Sequence, residues 1–140
     1  QRLKAKRDSN REGKRENVGE RAREWVRERE RAGRMSADLK RQVKIKTGIV
    51  KRLRKELAMY EQEKVQNDKR VEDMRASGAD TYDIRQAERV ADESAMMIPD
   101  CKGRFDAAFS DLEKLVDAEK ANDEIKDTEE YKLAVEALEA

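Results

Sequence analysis

From Leu39 onward the apolar positions fall at alternating spacings of four and three: Leu39, Val43, Lys46, Val50, Leu53, Leu57, Tyr60, Lys64, Asn67, Val71 and Met74. Three members are polar, and the rest form one seam of the kind a heptad repeat requires. The spacing predicts a helix from about Asp38 to Ala76, on the order of 58 Å long at ~1.5 Å per residue. Ser77-Gly78-Ala79 ends the pattern, with Gly78 suited to a left-handed stop. Asp80 or Thr81 is placed to cap the next helix through its side-chain oxygen. So short a connection predicts antiparallel neighbours.

The second helix repeats the rule through Ile84, Ala87, Ala91, Ser94, Ile98, Cys101, Phe105, Ala108, Leu112 and Leu115. The phase survives Pro99, so one helix kinked at the proline is expected rather than two. Its extra apolar residues lie on one side of the seam before Pro99 (Val90, Met97) and on the other side after it (Phe109, Val116). Near Asn122 the pattern fades. Asp127-Thr128-Glu129-Glu130 reads as a capping signal, and Tyr131, Val135 and Leu138 predict a short third helix. The expected fold is all-α: an elongated antiparallel three-helix bundle over residues 38–140, with two long helices and one short C-terminal helix.

Residues 1–34 follow another rule. Glu12, Glu16, Glu20, Glu24 and Glu28 recur every four residues, as do Arg23, Arg27 and Arg31. Glu20–Arg23, Glu24–Arg27 and Glu28–Arg31 are favourable pairs worth ~0.2–0.5 kcal/mol each. A solvated helix without an apolar face is expected, weakened at its start by Gly13 and Gly19. Trp25 and Val26 are its bulky apolar pair, suited to docking on the bundle or on a symmetry mate. Residues 1–37 are therefore read as a charged helical extension. The chain opens on Gln1, and Met35-Ser36-Ala37-Asp38 is an expected alternative start. An intact-mass measurement that finds residues 1–34 attached in native protein rejects it.

Composition sharpens this picture. Charged residues make up 46% of the 140 and aromatics 4%, too few large apolar groups for a spherical core but enough for helices that each bury a stripe. The net charge of +1 hides an asymmetry: residues 1–34 carry 13 Lys/Arg against 7 Asp/Glu, and residues 35–140 carry 20 against 25. With no histidine and one cysteine, Ser-His-Asp and Cys-His catalysis, a Cys/His zinc site and an internal disulfide are excluded. Nucleotide-binding glycine motifs are absent. No enzyme, cofactor or metal is expected. No apolar run reaches the ~20 residues of a membrane span, no signal peptide is visible, and a lone thiol suits the cytosol.

Several residues stand out as binding candidates. Gly48 falls on the outermost heptad position, where glycine costs ~1 kcal/mol relative to alanine and gains no packing. Ile45 and Met59 share a side away from the seam, to be covered by the short third helix or by a partner. Lys44, Lys51, Arg52 and Lys55 surround them. Met96 points outward, and methionine is adaptable at binding surfaces. Cys101 lies on the seam as a small buried apolar residue.

Three segments resemble the tubulin-folding cofactor A family, also called tubulin-specific chaperone A. The first runs from Arg41 through Val43-Lys44-Ile45-Lys46-Thr47-Gly48-Ile49-Val50 to Leu53, with Met59-Tyr60-Glu61 following. The second is Tyr82-Asp83-Ile84 with Glu93-Ser94 and Met96-Met97-Ile98-Pro99-Asp100-Cys101. The third is Glu129-Glu130-Tyr131-Lys132 near Leu138-Glu139-Ala140. The resemblance covers residues 38–140 and leaves 1–34 unmatched. It implies a rod-like three-helix bundle that captures quasi-native β-tubulin released by the cytosolic chaperonin. The client then passes to a larger cofactor that assembles the αβ heterodimer, with no nucleotide hydrolysis. A cytoplasmic, cytoskeleton-associated protein is implied. The expected β-tubulin contacts are Lys44, Lys46, Lys51 and Lys55 for charge, beside Gly48, with Ile45, Met59 and Met96 as apolar contacts.

Two rival readings also fit the sequence. A coiled-coil or spectrin-like scaffold fits the periodicity equally well. A nucleic-acid binder through the basic segment gains an electrostatic term, but its interleaved acids and single stacking residue, Trp25, argue against one. No nucleic acid and no membrane partner are expected, and a homodimer is possible.

Overall fold

A computed structural model describes the backbone of residues 2–140 and the side chains of residues 18–140. The described residues form α1 (Arg2–Ala76), α2 (Thr81–Glu119), the single turn α3 (Asp123–Lys126) and α4 (Glu129–Glu139). They separate into two compact units, Gln1–Leu39 and Lys40–Ala140. None of these helices is long and apolar enough to cross a membrane.

In the second unit, α1 and α2 pair antiparallel across the expected turn. Gly78 adopts φ +70°. Its N–H donates to the Arg75 carbonyl at 3.4 Å, and the Ala79 N–H donates to Met74 at 3.1 Å. These two bonds make a Schellman ending, which satisfies helix-end carbonyls and needs a residue free of Cβ strain at the left-handed position. Asp80 takes the N-cap position of α2, but its side chain makes no capping bond; its carbonyl accepts the first helical bond from Ile84 at 3.0 Å.

The seam forms the core. Val43, Val50 and Leu53 of α1 and Cys101 and Leu112 of α2 are buried, as are Val71, Ala91 and Val116. Polar seam positions find partners. The Asn67 amide donates to Ser94 Oγ at 2.7 Å, and Ser94 donates in turn to the Val90 carbonyl at 3.1 Å. A half-buried polar pair of this kind favours one register, since slipping a heptad leaves both groups unmatched. Cys101 Sγ faces the Leu53 carbonyl at 3.9 Å, a small apolar residue in place. Toward the turn, Arg75 pairs with Glu88. Pro99 sits inside α2, which continues past it.

The C-terminal helix departs from expectation in three respects. A one-turn helix, α3, precedes it, with Asn122 Oδ1 accepting from Glu124 N–H at 3.2 Å. The cap of α4 is Thr128, not Asp127: its hydroxyl accepts from Tyr131 N–H at 3.4 Å. The same hydroxyl donates to the Ile125 carbonyl, which ties the cap to the buried Ile125. Finally, α4 buries Tyr131, Ala134 and Ala137, while Val135 and Leu138 are only half-buried. α4 packs against α2, and the small Ala134 and Ala137 lie on its buried face in place of the larger Val135 and Leu138.

In the first unit, α1 starts at Arg2, not at Asp38. The helix is carried back by residues of good propensity, and Gly33 is tolerated within it. The three expected Glu–Arg pairs are not closed: none is among the ion pairs of the described side chains. Arg27 Nε donates instead to its own helix, at the Arg23 carbonyl, 3.3 Å away. At full exposure an ion pair gains little against solvent and side-chain entropy.

Candidate functional site

On an α-helix each residue advances 100°, so Lys44, Gly48, Lys51 and Lys55, at spacings of four, three and four, stand on one narrow ridge of α1. All four are exposed. The burial of Val43 and Val50 fixes the rotation of the helix, and the ridge looks away from them.

One flank of the ridge opens into a groove of about 420 Å³. Lys44, Thr47, Gly48 and Lys51 form the α1 wall, and Glu129, Glu130 and Leu133 form the α4 wall. Thr47 makes the floor. Its hydroxyl donates to the Val43 carbonyl at 2.7 Å, which satisfies it locally and lets it bury. A Cβ built on Gly48 meets nothing within 4 Å. The chain itself therefore gains no packing from that glycine and bears its helix-propensity cost of about 1 kcal/mol. The α4 wall is acidic because Glu129 and Glu130 occupy the first turn of that helix, where the helix dipole favours carboxylates. Two lysines thus face two glutamates across an open notch.

Both ends of α4 are tied, and this positions its wall. Thr128 holds the N-terminal end. At the other end, Arg54 of α1 donates from Nη2 to the Ala137 carbonyl at 2.8 Å. The same guanidinium lies over the Phe105 ring of α2, 5.6 Å from its centroid. One side chain therefore joins three helices and satisfies a terminal carbonyl of α4, at the dipole end that favours a cation.

On the other flank of the ridge, Ile45 and Met59 are 51% and 63% exposed, with the Arg52–Glu56 pair (3.8 Å) between them. The short C-terminal helix does not cover them. The structure thus brings together Lys44, Gly48 and Lys51 at the groove, with Lys55 continuing the ridge and Ile45 and Met59 beside it. Two candidate residues stand apart. Lys46 is half-buried on the core seam between Val43 and Val50, on the opposite side of α1 from the ridge. Met96 belongs to α2, is 73% exposed, and stands about half a helical turn from the buried Ser94 and Cys101.

Thr47, Arg54 and Leu133 are the residues of this region that periodicity alone did not single out. Thr47 and Leu133 lie off the seam, and Arg54 is polar.

A family model described as Tubulin binding cofactor A matches residues 38–138. Tubulin-specific chaperone A of Homo sapiens is 48% identical over 94 residues, which cover 67% of this chain and 84% of the relative. Among solved structures, human tubulin chaperone cofactor A superposes with a TM-score of 0.63 at 44% identity, covering 72% of this chain and 95% of that one. Tubulin folding cofactor A from Arabidopsis thaliana gives a TM-score of 0.67 at 37% identity, covering 74% and 94%.

Proposed function

The chain belongs to the tubulin binding cofactor A family, and on that premise we propose that it is a non-enzymatic tubulin-folding cofactor. In this reading it captures quasi-native β-tubulin after chaperonin release. It then passes the client to a further tubulin-folding cofactor for αβ heterodimer assembly, in the cytoplasm and close to the cytoskeleton. The observation that carries the proposal is the α1 ridge: an exposed glycine where a Cβ meets nothing within 4 Å, flanked by Lys44, Lys51 and Lys55, beside an uncovered Ile45 and Met59.

The physics suits an unfinished client. A folding intermediate exposes apolar surface that otherwise aggregates. Ile45 and Met59 offer a small apolar footing, and the bare backbone at Gly48 lets a partner segment come close. The lysines complement an acidic client such as tubulin. Because those charges are exposed, they contribute mainly to encounter and specificity, and the association weakens as salt rises.

The test is a charge reversal, Lys44→Glu with Lys51→Glu and Lys55→Glu, in a β-tubulin capture assay. All three positions are exposed, so folding is expected to persist, and the circular dichroism melt checks it. Capture is expected to fall by at least about tenfold, in keeping with loss of several charge contacts. Unchanged capture refutes the proposed face. If the unaltered chain does not enrich β-tubulin from lysate, the scaffold reading replaces the chaperone one.

A further inference from the structure

One face of α1 in the first unit carries large apolar side chains that lie exposed. Val18, Ala22, Trp25, Arg29, Ala32 and Ser36 follow one another at spacings of four and three, so they share a stripe. Val18 and Trp25 are 67% and 59% exposed, and Val26 beside them is 47% exposed. Arg29 lies over the Trp25 ring, 5.2 Å from its centroid. One edge of the stripe carries Gly19, Val26 and Gly33, where a Cβ at either glycine meets nothing within 4 Å. The other edge carries Arg21 and Glu28.

We propose that this stripe pairs with the same stripe of a second copy of the chain, antiparallel, centred between Ala22 and Trp25. In that register Trp25 packs on Ala22 of the second copy and the reverse, and Val18 packs on Arg29. At the two central layers the large Trp25 meets the small Ala22. On one edge Val26 meets Gly19. On the other, Arg21 meets Glu28, and by symmetry Glu28 meets Arg21, so each dimer holds two complementary pairs. The alternatives are worse on charge alone. Sliding one heptad in one direction sets Glu28 against Glu28; sliding in the other sets Arg21 against Arg21. A parallel pairing stacks Arg29 on Arg29 and leaves Arg21 and Glu28 opposite Val26 and Gly33. Antiparallel pairing in this one register satisfies both charge and volume. The stripe is two to three heptads long with few large side chains, so the dimer belongs with small, transient interfaces.

The test uses the full chain, in which Trp25 is the single tryptophan and so reports on the stripe directly. Sedimentation equilibrium is expected to show the 16.3 kDa monomer passing toward twice that mass, with a dissociation constant on the order of 100 µM. Trp25 emission shifts to the blue over the same concentration range. Arg21→Glu alone, and Glu28→Arg alone, each weaken the dimer about tenfold, because each turns two attractive pairs into repulsive ones. The double variant, which exchanges the two charges, restores the unaltered constant. A monomer up to about 1 mM, well above that constant, overturns the proposal. So does a blue-shifted Trp25 emission that is independent of concentration, which would mean docking within one chain. A double variant no tighter than the singles overturns the antiparallel register.

Discussion

At the seam positions of residues 18–36 stand Val18, Ala22, Trp25, Arg29, Ala32 and Ser36; at those of residues 39–57 stand Leu39, Val43, Lys46, Val50, Leu53 and Leu57. The spacing is the same. In the second set Val43 and Val50 are wholly buried, while in the first Val18 and Trp25 remain mostly exposed. The comparison separates two things that a heptad is often taken to deliver together. Spacing decides which face of a helix is apolar. Whether that face becomes a core depends on side-chain volume and on a covering helix. Leucine and valine at most positions justify α2, whereas alanine, serine and arginine offer too little area to repay the ordering of a second strand of chain.

The sharpest way to break this contrast is to cut a large residue from each region. Leu112→Ala, at a fully buried position of α2, is expected to cost about 2–5 kcal/mol in urea unfolding followed by circular dichroism. Trp25→Ala is expected to change the same transition by less than about 0.5 kcal/mol. A larger effect of Trp25→Ala at low concentration would give the first region a core of its own. Next in size is Arg54→Met. It keeps much of the bulk and removes both the bond to the Ala137 carbonyl and the charge over Phe105, and about 1–3 kcal/mol is expected to be lost. Hydrogen exchange should quicken first in α4, and Arg54→Lys should not restore the protection, because an ammonium lacks the planar fork. The smallest effect concerns Asn67 and Ser94. Ser94→Ala is expected to cost about 1 kcal/mol. Asn67→Leu added to it should recover most of that, at the expense of a less unique register.

Much of this architecture was legible because its signals are periodic or conformational. The α1 and α2 seams, the continuity of α2 through Pro99 and the left-handed Gly78 all follow from spacing or from the properties of one residue type. The end of the chain was less legible. Tyr131, Val135 and Leu138 are the conspicuous apolar residues of α4, yet the helix buries Tyr131, Ala134 and Ala137. Close approach rewards small side chains, and hydrophobicity does not distinguish a packed alanine from an idle one. Thr128 displaced Asp127 as the cap because its hydroxyl also reaches Ile125, a tertiary contact that no local motif reveals. At the candidate site, the ridge of Lys44, Gly48, Lys51 and Lys55 was legible from helical phase. Its groove was not, since Glu129, Glu130 and Leu133 are brought there by the tethers at Thr128 and Arg54. Lys46, grouped with the other lysines by composition, lies on the opposite side by the same phase argument.

On the function proposed above, the bare backbone at Gly48 exists for a partner and not for the fold. Gly48→Leu separates the two, with unfolding and β-tubulin capture measured on the same preparation. Stability is expected to rise by about 0.5–1 kcal/mol, as glycine leaves an open helical position, while capture falls severalfold or more. Capture that stays unchanged in the stabilised variant, or falls only because the bundle has melted, contradicts this reading.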